Sequence, residues 1–304
     1  MKNAFMVIAV LLCAVTATAT TVGERLVVTQ AGAYCQIQDA SQEFELRRFR
    51  PFFTANHDSL SVFAEAQVGK STFPLQAYID YRVTLPLIGR SKLRLGEFTN
   101  PMMYIESPPG KKQFVTYALT DYYVQNQYDI GVALLLQNRL GSLQACVING
   151  SGLNSPDDNK SRDLVFAVKT ATFGPLQFSG AYQSGCQPTG QRELYFGKTT
   201  ITPVTWLTAE SAILWRKDFQ NGRGWLVTAV ADLTEAVALT GRLTQRTQHA
   251  QWIMAQGQLV TDDIEGVVGA EFRQGALRLQ PNLVLQRHKS PAIVWAVQFD
   301  LSFL

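Results

Sequence analysis

Apolar and polar residues alternate along most of this chain, with a period of two. In LQAYIDYRVT, Leu75, Ala77, Ile79, Tyr81 and Val83 fall on one face, and Gln76, Tyr78, Asp80, Arg82 and Thr84 on the other. RDLVFAVK sets Leu164, Phe166 and Val168 against Asp163, Val165, Ala167 and Lys169. LRLQPNLVLQR sets four leucines against Arg278, Gln280, Asn282 and Gln286. The chain ends the same way, with Val297, Phe299, Leu301 and Phe303 opposite Ala296, Gln298, Asp300 and Ser302. This period means strands with one apolar face. Sixteen are predicted, at 26–37, 43–56, 60–69, 75–85, 91–99, 128–138, 142–149, 162–171, 175–184, 192–202, 205–217, 223–232, 236–247, 264–273, 276–287 and 292–303. The breaks RLGS, FGP, DLTEA and RQGA read as hairpin turns. Residues 100–127, with Pro108-Pro109-Gly110, do not alternate and predict a helical turn or two. Residues 250–261 alternate as well and are read as a folded loop or as strand extensions.

Two architectures bury such strands. A soluble sandwich turns the apolar faces inward, and a membrane barrel turns them outward to lipid around a wet lumen. Composition moves the choice. Hydrophobic residues make up 46 % of the 304 and charged residues 17 %, below the roughly 25 % of ordinary soluble domains. The N-terminus MKNAFMVIAVLLCAVTATAT has a positive start, a short apolar run and a small-residue cleavage pattern at Ala17-Thr18-Ala19, which predicts a secretory signal over residues 1–19. The strands have about the ten residues that a tilted span requires. Tyr81, Phe166, Trp215, Trp225, Trp295 and Phe303 lie on apolar faces near strand ends, as an interfacial girdle would. The expected fold is therefore all-β: a transmembrane antiparallel β-barrel of about sixteen strands over residues 20–304, exported through the periplasm to the outer membrane of a Gram-negative-type bacterium. The greasy face of the last strand then meets lipid, and its edge pairs with the first strand.

Other chemistries fail on spacing. A net charge of +3 without a basic, aromatic-interleaved stripe gives no reason to expect nucleic acid as a partner. Once the signal segment with Cys13 is removed, Cys35, Cys146 and Cys186 are an odd number at wide spacing, and with three scattered histidines they offer no disulfide framework or metal site. No cofactor is expected. GKS at 69–71 and GKT at 197–199 would need a glycine at positions 64 and 192 to make a phosphate-binding loop, and those residues are Ala64 and Arg192. NHDS at 56–59 reads as a tight turn, and His249, His288, Asp262 and Asp263 show no catalytic spacing, so no enzyme is expected.

RRFR (47–50), LRLGEFTNP (93–101), DIGV (129–132) and INGSGLN (148–154), in this order, resemble the phosphate-selective porin O and P family, as does the hairpin IEGVVGAEFRQGALRLQPNLVLQR. That resemblance implies a barrel that is often a homotrimer, with the third external loop, here residues 100–127, folded inward as a constriction. The C-terminal strand 292–304 also looks like the signal read by the barrel-assembly machinery, although Leu304 follows the aromatic Phe303. Outer-membrane lipid and lipopolysaccharide would surround it. Such a channel would select anions with lumenal cations. The projected lumenal cations run from Arg48 to Arg278 and the projected lumenal acids from Glu65, through Glu193, to Asp300, in nearly equal number. The strip expected to line the pore is Arg48, Arg50, Arg82 and Arg94, with Lys111 and Lys112 in the loop. The expected function is passive diffusion of small hydrophilic solutes or ions, including anions such as phosphate. The alternative is a plugged, non-conducting structural or adhesion barrel.

Overall fold

The computed structural model describes residues 27–40, 43–68, 73–85, 89–106, 123–124, 127–150, 161–187, 190–218, 222–248, 263–275, 277–286 and 292–302. The signal segment 1–19, Lys111, Lys112, the alternating run 250–261, Phe303 and Leu304 lie outside them. The strands are β1 (Val27–Ala40), β2 (Glu43–His57), β3 (Leu60–Gln67), β4 (Phe73–Leu85), β5 (Gly89–Thr99), β6 (Tyr128–Asn138), β7 (Gly141–Ile148) and β8 (Asp163–Thr170). They continue as β9 (Leu176–Gln187), β10 (Gly190–Val204), β11 (Leu207–Lys217), β12 (Gly222–Asp232), β13 (Val237–Gln248), β14 (Asp263–Gln274), β15 (Leu277–Gln286) and β16 (Ala292–Ser302). One short helix, α1 (Pro101–Glu106), follows β5.

Each strand pairs antiparallel with its chain neighbours, and β1 pairs with β16, so the sixteen strands form a closed barrel. Closure leaves no row of unpaired backbone groups, the condition for a sheet to stand in hydrocarbon. The C-terminal strand thus sits where the alternation placed it, with Cys35 opposite Phe299 and Ala33 opposite Leu301. The outer face carries the apolar set: Ile79, Tyr81, Leu95, Val132, Phe166, Val227 and Leu243 are all exposed. Trp206 stands in the turn between β10 and β11, while Trp215 and Trp225 lie toward the opposite rim. This is an apolar band with aromatics at both edges, as in outer-membrane barrels.

The two rims differ. The turns after β2, β6 and β10 hold only Asp58-Ser59, Arg139-Leu140 and Thr205-Trp206. Gly141 opens β7 at φ 144°, and a Cβ there would lie 2.1 Å from the Lys169 carbonyl oxygen, so this tight return requires glycine. The opposite rim carries the long 100–127 excursion, whose boundaries match those read from the sequence. Several strands run past the apolar band. β9 and β10, predicted at 175–184 and 192–202, reach Gln187 and Gly190, which leaves two residues between them.

Candidate functional site: the lumen and its inward loop

The loop turns inward because its first residues cap a helix. Asn100 Oδ1 accepts a hydrogen bond from Met102 N at 3.1 Å, and Pro101 occupies the first helical position, where its missing N–H costs nothing. Asn100 N donates to Gln127 O at 2.8 Å and closes the neck of the loop. From there α1 lies against β8, β9 and β10 inside the barrel. Met102 and Met103 are buried there with Phe98, Val165, Leu194 and Phe196. Further along, Tyr123 reaches the far wall: its hydroxyl donates to Arg223 O at 2.6 Å and accepts from Thr247 N at 3.2 Å. A Cβ on Gly222 would stand 2.7 Å from the Tyr123 ring, so the bare backbone there seats the tyrosine.

The covered wall corrects one expectation. Glu193 was projected into the lumen, but it lies on the outer face beside exposed Tyr195, 3.5 Å from Lys217 Nζ. At the loop-covered end of β10 the inward residues are Arg192, Leu194 and Phe196. Apolar residues point inward here because the loop, not water, is their neighbour. Arg192 Nη2 meets Asp163 Oδ2 at 2.5 Å, Gln183 Nε2 meets the same oxygen at 2.6 Å, and Asn100 Nδ2 donates to Gln183 at 3.0 Å. This buried network pins the neck of the loop to β8–β10. Asp163 needs Gly185 beside it: a Cβ there would come within 1.6 Å of Oδ1.

The lumenal charges divide into two groups. On the later strands they are paired: Lys198 with Glu210 at 2.9 Å, Arg242 with Glu265 at 2.8 Å, Arg216 with Asp218 at 2.6 Å, and Arg273 with Glu271 at 2.5 Å and Asp232 at 3.0 Å. Such pairs brace the wall and leave little net field. On the early strands the expected strip separates. Arg94 donates from Nε and Nη2 to the two carboxylate oxygens of Asp80, at 2.7 and 2.9 Å, and its guanidinium lies 3.7 Å from the centre of the Tyr78 ring. Arg50 is buried but holds neutral partners, Gln67 at 2.8 Å and the Tyr128 hydroxyl at 3.1 Å. Arg82 is exposed to the lumen and donates to Asn56 at 2.9 Å. Arg48 has its backbone opposite Gln36 on β1, two residues before Arg50.

Sequence reading missed two features. Phe52, Phe63 and Tyr78 form a stacked run on the inner faces of β2, β3 and β4, with ring centres 6.4 and 5.0 Å apart. Their shared parity with Arg50, Glu65 and Asp80 was the available signal. The other is Arg90, which shares the parity of Lys92 and Arg94 but precedes the predicted start of β5.

No family model matches the sequence, and no match is found among curated proteins. Solved structures do match. Trimeric, in-vitro folded OmpT of Vibrio cholerae superimposes with a TM-score of 0.67 at 9 % identity, over 92 % of this chain and 100 % of that one. An anion-selective porin from Comamonas acidovorans gives 0.64 at 12 % identity, over 91 % and 99 %. OprB of Pseudomonas putida gives 0.67 at 9 % identity, over 92 % and 94 %. The likeness is one of fold. The chain has the outer-membrane porin type of barrel, and at these identities nothing finer than that carries across.

Proposed function

We propose that this protein is an outer-membrane porin through which small hydrophilic solutes diffuse passively, with a preference for anions, phosphate among them. The observation that carries the reading is the inward loop. Its described residues, those of α1 and Tyr123, lie against β8–β10 and β12–β13, and a cavity of about 790 Å³ faces β4–β8, running from Pro101 toward the short-turn rim. A lumen narrowed on one side by α1 and Tyr123 supports a constricted channel over a plugged barrel. Loop 100–127 sets the size limit. Arg48, Arg50, Arg82 and Arg94, with Lys111 and Lys112, are the residues proposed to line the passage. A wall acting through its field alone needs neither a catalytic group nor a cofactor, so an enzyme is not proposed. Assembly through strand 292–304, a lipid and lipopolysaccharide surround, and a homotrimer like the Vibrio cholerae structure belong to the same reading.

Single-channel current of the refolded protein in a planar bilayer, under a KCl gradient, tests it. Stepwise conductance with a reversal potential of the anion-selective sign is expected. Folded, heat-modifiable protein without steps would overturn the pore, and a cation-selective sign would overturn the anion preference.

A further inference from the structure

Four cations gather at the short-turn end of the lumen. Residues paired across neighbouring strands share a face, and the register builds two rows on β4–β8. Thr84 pairs with Arg90, Arg90 with Gln137, Gln137 with Ser142 and Ser142 with Lys169. One row deeper, Arg82 pairs with Lys92, Lys92 with Leu135, Leu135 with Gln144 and Gln144 with Ala167. Arg82, Arg90, Lys92 and Lys169 all line the cavity of about 790 Å³, with Gln137 and Gln144 between them. Among the described residues no carboxylate lines it. The acid that touches the cluster is Asp80, 3.6 Å from Lys92 Nζ, and both of its oxygens are already taken by Arg94. Arg82, Arg90 and Lys169 have no carboxylate within ion-pair reach among the described residues. On the later strands Lys198, Arg216, Arg242 and Arg273 are each answered by an acid. Here Arg82 on β4, Arg90 on β5 and Lys169 on β8 line one cavity without a carboxylate partner among the described residues, with side-chain amides between them to accept and donate hydrogen bonds.

We propose that this vestibule is a binding site for compact multivalent anions, bearing two or three carboxylate or phosphate groups, at the periplasmic mouth of the channel. The placement of that mouth rests on the porin reading, in which short turns face the periplasm. The four cations stand toward the short turns, with Pro101 of the inward loop at the other end of the cavity, so the site acts on a solute entering or leaving on one side. Several cations around one cavity favour charge number: each further anionic group of the same molecule finds a cation at high effective concentration. Binding should therefore discriminate citrate from acetate far more than bulk screening does. Occupancy should also block current asymmetrically.

The test is isothermal titration of the refolded, detergent-solubilised protein with citrate and with acetate at matched ionic strength, beside channel recordings with citrate added to either chamber. Citrate is expected to bind at least tenfold more tightly than acetate. It should block from one chamber at several-fold lower concentration than from the other. Arg90→Gln with Lys169→Gln should remove both effects. Arg90→Lys, which keeps the charge, should retain them, and heat-modifiable mobility confirms that each variant is folded. Equal binding of citrate and acetate, or citrate binding unchanged in the double variant, would overturn the site. Conductance steps with no citrate binding sink the site and leave the pore standing. Citrate binding without steps sinks the pore and leaves the site.

Discussion

Asp163 and Arg192 show how much rests on single residues in the covered half of this lumen. Both side chains are about 1 % exposed, and the pair sits between the wall and the neck of the loop. Removing one member of such a pair leaves a buried charge without a partner, which typically costs 3–5 kcal/mol, whereas replacing both by apolar groups is often near neutral. Asp163→Asn is expected to lower stability by about 3–5 kcal/mol, read as an earlier urea midpoint, and Asp163→Asn with Arg192→Met should recover much of it. A double variant no better than the single would show that the carboxylate holds the neck through Gln183 alone. The sequence made part of this residue scale legible. Parity alone placed Asp80, Arg82 and Arg94 on one face. It could not say that Arg94 is bound by Asp80 while Arg82 is not, because a nearly balanced charge list carries no distances. It misplaced Glu193 because both faces of RELYFGK mix polar and apolar residues, and only the covering loop decides which face points inward.

At the scale of elements, the loop is a strut fixed at three points. Asn100 and Gln127 close its neck, the methionines of α1 are buried against β8–β10, and Tyr123 is bonded at β12 and β13. Asn-Pro at 100–101 was a readable helix start. The destination of α1 was not, because it depends on which stretch of wall is apolar on its inner face, and that follows from packing between distant strands. If the strut narrows the passage, deleting residues 107–120 while keeping both anchors should raise single-channel conductance severalfold without loss of folded protein. Unchanged conductance in a folded variant would take the loop out of the constriction and move the limit to the charged wall.

At the scale of the whole molecule, every strand depends on closure, and closure depends on one seam between the first and last strands. Period-two alternation could announce the strands, their number and the inverted polarity, because each of these is local. The seam is the least local contact in the chain, joining residues some 260 positions apart, and only the need to remove two free edges implied it. The register offers a direct probe. Cys35 is native and stands opposite Phe299, and directly opposed residues in antiparallel strands have Cα atoms about 4.5–5.5 Å apart. A disulfide spans that range. Phe299→Cys, in a background with Cys146 and Cys186 changed to Ser, should therefore oxidise to a bridge that leaves the boiled protein more compact on a denaturing gel until reductant is added. The same cysteine at residue 298 or 300, one register step away, should not form the bridge. Equal cross-linking at all three positions would mean that the seam slips, and no cross-linking at residue 299 would mean that the barrel closes elsewhere. The expected single-position result would tie the two ends of the chain together by chemistry rather than by pattern, and it would make the apolar face of the last strand part of one continuous outer wall.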